Sequence, residues 1–158
     1  MDIRIGHGFD VHAFSKNRKL ILGGVEIEYE KGLLGHSDAD VATHAVMDSL
    51  LGALAKGDIG KHFPDTDERF RNADSLKLLE DVKDIIQNEG FSISNIDVTI
   101  IAQNPKLSPF LEKMAKNLAD VLKIDKSRVN VKATTTEKLG FTGREEGIAA
   151  EAVCIMQK

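Results

Sequence analysis

Apolar residues recur along this chain with two different periods, and the switching between them outlines an α/β domain. Ile3 to Gly8 and Leu20 to Tyr29 read as strands, the second stretch broken at Gly23-Gly24 by a turn or bulge. Asp10 and His12 then fall just past a strand end. Ala42, Val46, Leu50, Ala53 and Leu54 form a stripe at helical spacing, so a helix capped by Ser37 or Asp38 is expected to run to about Leu54. Asp40, His44 and Asp48 follow one another at i, i+4 on one face of it, a face expected to look into a cleft.

Asp74-Ser75 opens a second helix with Leu78, Leu79, Val82, Ile85 and Ile86 inward, and Gly90 ends it. Ile96 to Ile100 alternates as a half-buried strand. Ser108-Pro109 supplies a cap and a first-turn proline for a third helix through about Leu122. The loop Ala102-Gln103-Asn104-Pro105-Lys106-Leu107 hangs between them, held extended by Pro105. Val129 to Ala133 and Ile148 to Met156 complete the strands. The expected architecture is an α/β, or α+β, sandwich: a mixed four-stranded main sheet covered by helices, plus a small N-terminal hairpin. No repeat, linker or low-complexity segment interrupts residues 1–158, which read as a single domain.

Charge changes this picture mainly by exclusion. The 158 residues carry 21 basic and 25 acidic side chains, a formal net charge of −4, which speaks against a nucleic-acid binder. Phosphorylated ligands would have to be met by a local site. The single cysteine, Cys154, lies in the apolar run Ala149 to Met156 and reads as a buried reduced thiol, which suits a reducing compartment. No apolar stretch long enough to span a membrane and no charged-then-apolar leader precedes the first motif. The expected location is the bacterial cytoplasm, with a mature plastid protein reading the same way.

The candidate chemistry begins at Asp10-Val11-His12. Asp and His at i, i+2 in an extended segment point to one side and can reach one ion. His44 fits as a third ligand, giving the Asp/His set and open position of a catalytic zinc site. Asp48, one turn on, is the expected partner of the other ring nitrogen of His44. Gly35-His36-Ser37 precedes the first helix, where a helix dipole and a free hydroxyl favour an anion. Thr134-Thr135-Thr136-Glu137 offers three hydroxyls and a carboxylate at a strand end, enough for a diphosphate and a harder cation such as Mg²⁺. Zinc hydrolases and deaminases carry a dedicated base in HExxH or in HxE with PCxxC, and neither motif occurs here. Such a site suits a nucleophile that arrives already anionic, as a substrate phosphate does.

Four blocks occur in order: His7-Gly8-Phe9-Asp10-Val11-His12, Gly35-His36-Ser37-Asp38-Ala39-Asp40, Phe63-Pro64-Asp65-Thr66-Asp67, and Lys132 through Phe141 with its threonine run. With them the chain, from Arg4 to about Met156, resembles the 2-C-methyl-D-erythritol 2,4-cyclodiphosphate synthase family of non-mevalonate isoprenoid biosynthesis. The resemblance implies that the 2-phosphate of 4-diphosphocytidyl-2-C-methyl-D-erythritol 2-phosphate attacks the β-phosphorus of its own diphosphate and expels CMP. It implies one Zn²⁺, or another divalent transition metal, per subunit on Asp10, His12 and His44, with Asp10 and His12 also near the substrate. Glu137 would meet a Mg²⁺ or Mn²⁺ bridging the α- and β-phosphates.

By the same resemblance His36 and Ser37 bind the 2-phosphate, and His36 and Thr135 stabilise the transition state, Thr135 beside Thr134 and Thr136. Asp58, Ile59, Gly60, Phe63, Pro64, Asp65, Thr66 and Asp67 would hold the methylerythritol. Ala102, Gln103, Asn104, Pro105, Lys106, Leu107 and Ser108 would recognise cytosine, largely through backbone groups. Three subunits would pack about a threefold axis with shared active sites. Phe141 and Arg144 would face that axis, where some relatives bind an isoprenoid diphosphate. Two positions depart from the family pattern: Asn104, where Arg or Ala is frequent, and Glu145, where Gly is common. The added charge of Glu145 weakens the case for an anionic ligand at the axis. Two other classes compete with the cyclase. A non-catalytic isoprenoid-diphosphate sensor conflicts with the intact Asp10/His12/His44 set, and a zinc phosphohydrolase with the missing base.

Overall fold

A computed structural model describes residues 1–158. Its seven strands are β1 (Ile3–Ser15), β2 (Leu20–Leu22), β3 (Val25–Ile27), β4 (Gly32–Leu33), β5 (Ser92–Ile101), β6 (Val129–Thr134) and β7 (Gly147–Gln157). The helices are α1 (Val41–Ala53), α2 (Ile59–His62), α3 (Ser75–Asn88), α4 (Leu111–Leu122) and α5 (Gly140–Gly143). The main sheet has the order β4-β1-β7-β5-β6. Only β5 and β6 are parallel; β1 and β5 both run antiparallel to β7, which lies between them. The sheet is mixed, as expected, but has five strands, because Gly32 and Leu33 pair with Ser15 and Phe14 at its edge. β2 and β3 form the separate hairpin, turned through Gly23 (φ 54°) and Gly24 (φ 71°), both in the left-handed region that a two-residue hairpin loop demands.

One core fills the space between sheet and helices. Val46, Leu50, Leu79, Val82, Met114, Leu118, Val98, Ile100, Ala150 and Cys154 are all among its 38 buried residues. α3 follows the sequence reading closely: Asp74 caps it by accepting from Leu76 N–H, and Gly90 (φ 76°) follows its end. Cys154 is buried and free. No helix is long and apolar enough to cross a membrane.

Several boundaries differ from expectation, each for a physical reason. β1 continues to Ser15, because residues 9–13 pair with Glu151 through Gly147 of β7, so Asp10 and His12 lie within a strand and not past its end. α1 begins at Val41, since Asp40, not Ser37 or Asp38, accepts the N–H of Thr43. Asp40 is fully buried and also takes the N–H groups of Gly23 and Gly24, so it anchors the hairpin and does not face a cleft. Ser108 is no cap: Ser108–Phe110 forms a 3₁₀ turn with Pro109 inside it, and α4 starts after it. The Ala102–Leu107 loop is bent, not extended, with the Asn104–Pro105 peptide cis. Finally, the helices cover only one face of the sheet. On the other, Ile3, Ile5, Phe9, Val11 and Val153 are exposed.

The covered face brings α1 close to β1 through two glycines. An ideal Cβ on Gly6 would lie 1.8 Å from the Ser49 carbonyl oxygen, and one on Gly8 2.0 Å from that of Ala45. Backbone therefore packs on backbone at this crossing. Asp10 and His12 continue the same inward-facing row, and His44 on α1 stands over them.

Candidate active site

Asp10, His12 and His44 come together as the sequence suggests. The Asp10 Oδ2 is 2.9 Å from His12 Nε2 and 3.1 Å from His44 Nδ1, and the two ring nitrogens are 3.3 Å apart. One carboxylate oxygen and two imidazole nitrogens thus converge, all within 4.8 Å of one another. That is the donor set and compactness a tetrahedral zinc-type ion requires, with one position left open. Burial raises the Asp10 carboxyl, but hydrogen bonds to His12 and His44 together outweigh it and hold its pKa down at about 2. Burial lowers His12, but the hydrogen bond and charge of Asp10 together with the Leu34 carbonyl outweigh it, for a net upward shift.

Each histidine is held from behind. His12 Nδ1 lies 2.8 Å from the Leu34 carbonyl, which can only accept, so Nδ1 is the protonated nitrogen and Nε2 faces Asp10. His44 Nε2 lies 2.9 Å from Ser75 Oγ and 3.1 Å from Ser37 Oγ. Asp48 is not its partner, contrary to expectation: that carboxylate accepts the N–H of Ile59 and fixes the start of α2. A helix residue at i+4 stacks beside His44, whereas the ring points its far nitrogen across to α3.

The cluster opens into a cavity of about 210 Å³ lined also by His36, Ser37, Ile59, Gly60, Phe63 and Asp65. Of the other residues expected on the methylerythritol, Asp58 caps α2 by accepting from Lys61 N–H, and Asp67 is tied to Arg69. Pro64, Thr66 and Asp67 do not line this cavity, although the Asp67 carbonyl receives His36 Nε2 at 3.0 Å. Contrary to expectation, the N-terminus of α1 is not free for an anion beside His36 and Ser37, because Asp40 already occupies it; anion contacts here would come from the two side chains. The apolar wall, Met47, Phe70 and Leu78, was not singled out by sequence. Leu78 reads as ordinary core, and Phe70 sits on a 3₁₀ turn with no periodicity to mark it.

A second group forms its own cavity of about 280 Å³. Ala102, Gln103, Asn104, Pro105, Lys106, Leu107 and Ser108 line it with Thr134 and Thr135, and it shares no residue with the first. Gln103 Oε1 accepts the N–H of Lys138, tying this loop to the segment that carries Glu137. Thr136 turns away, its hydroxyl bonded to Leu139 O and Thr142 Oγ1. Glu137 is an exposed carboxylate and belongs to no group of three or more metal-ligating side chains, so it would hold a hard cation only with ligand oxygens. Asn104 directs its amide to Glu145, and Arg144 is paired with Glu146 at 2.6 Å. Glu145 has φ 59°, the left-handed region, which gives a physical reason why glycine suits this position.

A family model described as the YgbB family matches residues 3–157. The 2-C-methyl-D-erythritol 2,4-cyclodiphosphate synthase of Bacillus subtilis is 63% identical over 155 residues, 98% of each chain. Among solved structures, the bifunctional IspDF of Campylobacter jejuni superposes with TM-score 0.94 at 49% identity, covering 98% of this chain and 42% of that larger one. IspF of Plasmodium falciparum, solved as a CDP complex, superposes with TM-score 0.86 at 38% identity over 98% of this chain and 95% of its own. The family match over nearly the whole chain agrees with the high identity and the shared fold, and this chain belongs to the YgbB family.

Proposed function

We propose that residues 1–158 act as one catalytic domain that converts 4-diphosphocytidyl-2-C-methyl-D-erythritol 2-phosphate to 2-C-methyl-D-erythritol 2,4-cyclodiphosphate and CMP. The observation that carries this reading is the Asp10/His12/His44 cluster opening into the same cavity as His36 and Ser37. A Zn²⁺ or similar divalent transition metal held there supplies a Lewis acid for phosphate oxygens. His36, oriented by the Asp67 carbonyl, and the Ser37 hydroxyl hold the 2-phosphate. An oxygen of that phosphate bonds to the β-phosphorus as the bond from the β-phosphorus to its bridging oxygen breaks, and CMP leaves with that oxygen. Thr135 hydrogen-bonds the charge that develops, and Glu137 would help to hold a Mg²⁺ or Mn²⁺, which would supply charge neutralisation for the diphosphate. Ile59, Gly60, Phe63 and Asp65 position the methylerythritol, and the Ala102–Ser108 loop takes the cytosine, in keeping with the CDP bound by the Plasmodium relative.

Asp65 is the one carboxylate of the cavity outside the ligand set and, beside His36, a candidate there for activating water. Reaction in ¹⁸O-labelled water separates the two chemistries. Intramolecular attack predicts CMP release with no label in either product, while label in a product, under controls for later exchange, would identify a phosphohydrolase.

The separation of the two cavities supports a shared site. Neither contains all the parts, and the bare sheet face bearing Ile5, Phe9, Val11 and Val153 offers an apolar surface for further copies. A homotrimer in the bacterial cytoplasm satisfies both, with each site completed by a neighbour. Light scattering should give the mass of three chains. Mixing inactive His44→Ala with inactive Glu137→Ala subunits should restore activity, since some interfaces then hold both intact halves. No recovery from proven mixed trimers would place the whole site within one chain. An isoprenoid diphosphate at Phe141 and Arg144 would have to displace Glu146 from that guanidinium.

A further inference from the structure

Behind the Asp10/His12/His44 cluster lies a chain of hydrogen bonds with a definite polarity, buried at His44, Ser37 and Ser75 and half-buried at Asp38. The Asp38 carboxylate can only accept, and it takes two hydrogens from Ser75: the hydroxyl at Oδ1 and the backbone N–H at Oδ2, 3.0 Å away. Its Oδ1 also receives the N–H of Asp40 at 3.1 Å. Ser75 is fully buried at the start of α3, and its single hydroxyl hydrogen is spent on Asp38. Toward His44 Nε2, 2.9 Å away, Ser75 Oγ can therefore only accept. Nε2 must carry the ring proton. Nδ1 is left with its lone pair, turned on Asp10 and His12.

The same polarity fixes Ser37. Its Oγ lies 3.1 Å from the protonated Nε2 and 3.3 Å from the N–H of Ala39, so it accepts from both. Its own hydroxyl hydrogen has no acceptor within the chain and is free toward the cavity that Ser37 lines.

We propose that Asp38 and Ser75 are positioning residues that set the proton arrangement of the site, presenting His44 Nδ1 to a metal ion and the Ser37 hydroxyl hydrogen to an anionic ligand. This rests on the reading of Asp10, His12 and His44 as metal ligands. A purely structural role for Ser75, tying α3 to the 36–40 segment, makes a different prediction. In Ser75→Ala the backbone bond to Asp38 and the Asp74 cap both survive, and only the hydroxyl's links to Asp38 and His44 are lost.

Zinc affinity, measured by competition with a chromophoric chelator, decides between them. Ser75→Ala should bind zinc about 10- to 100-fold more weakly, the range found when the partner of a ligating histidine is removed. Asp38→Asn should do the same, because its amide nitrogen would turn the Ser75 hydroxyl hydrogen toward Nε2. In the zinc-loaded wild type, the Nε2–H of His44 should give a slowly exchanging ¹H–¹⁵N signal that is lost to fast exchange in Ser75→Ala. Folded variants with wild-type zinc affinity and an unchanged signal would overturn the proposal. A wild type that binds no zinc would instead sink the metal reading beneath it. Should Ser75→Ala fail to fold, Asp38→Asn and the wild-type exchange rate still decide.

Discussion

His44→Ala should yield a folded protein that retains no transition metal and releases CMP roughly a thousandfold more slowly, equivalent to about 4 kcal/mol of transition-state stabilisation. Asp10 and His12 alone leave two protein ligands, too few to hold a zinc-type ion firmly. Elemental analysis and a CMP assay read both effects, and full metal occupancy in the variant would remove His44 from the site. The change will also cost stability. His44 is only 7% exposed, and truncating it leaves the Ser37 and Ser75 hydroxyls without their ring partner, about 1–3 kcal/mol where water does not replace it. The adjoining cavity can admit that water, which places the cost at the low end of the range.

Gly8→Ala should damage the same site without touching a ligand. Its new methyl would meet the Ala45 carbonyl oxygen at 2.0 Å and the backbone nitrogen of Ser49 at 2.8 Å, both within α1. No side chain can swing aside, so the helix itself must lift from β1, at a cost of about 3 kcal/mol or more. Ala45 directly follows His44, and the lift draws His44 away from Asp10 and His12. Denaturant unfolding and zinc affinity should fall together. Gly52→Ala is the control: it lies in α1, yet its Cβ would find nothing nearer than the His7 carbonyl oxygen at 4.0 Å. That variant should gain about 0.5–1 kcal/mol from helix propensity and keep its metal.

Why some of this was legible in the sequence, and some not, follows from how far each signal reaches. The stripe at Ala42, Val46 and Leu50, the cap at Asp74 and the glycine pair at Gly23-Gly24 are local, and each predicted its element. The Asp10/His12 spacing was also local, and it holds even though the two lie within a strand. What eluded the sequence depends on distant partners. Asp40 looked like part of a ligand face, yet the hairpin 16 and 17 residues before it claims its carboxylate. Asp48 looked like the partner of His44, yet Ser75, 31 residues away, takes that place. The edge strand β4 is two residues long and carries no period at all. That the candidate residues fall into two separate cavities could be read only from the assembled sheet.

The position of β7 has a kinetic side. This strand lies in the middle of the sheet, and its partner β1 comes from the far end of the chain, Ile3 opposite Gln157. The central pairing therefore closes the longest loop the chain can make, whose entropy must be spent before any of the ladder repays it. Until β7 inserts, β1 and β5 have no neighbour between them, and each shows an unpaired edge beside an apolar face. Refolding should accordingly be slow for a chain of this size, with aggregation setting its upper working concentration.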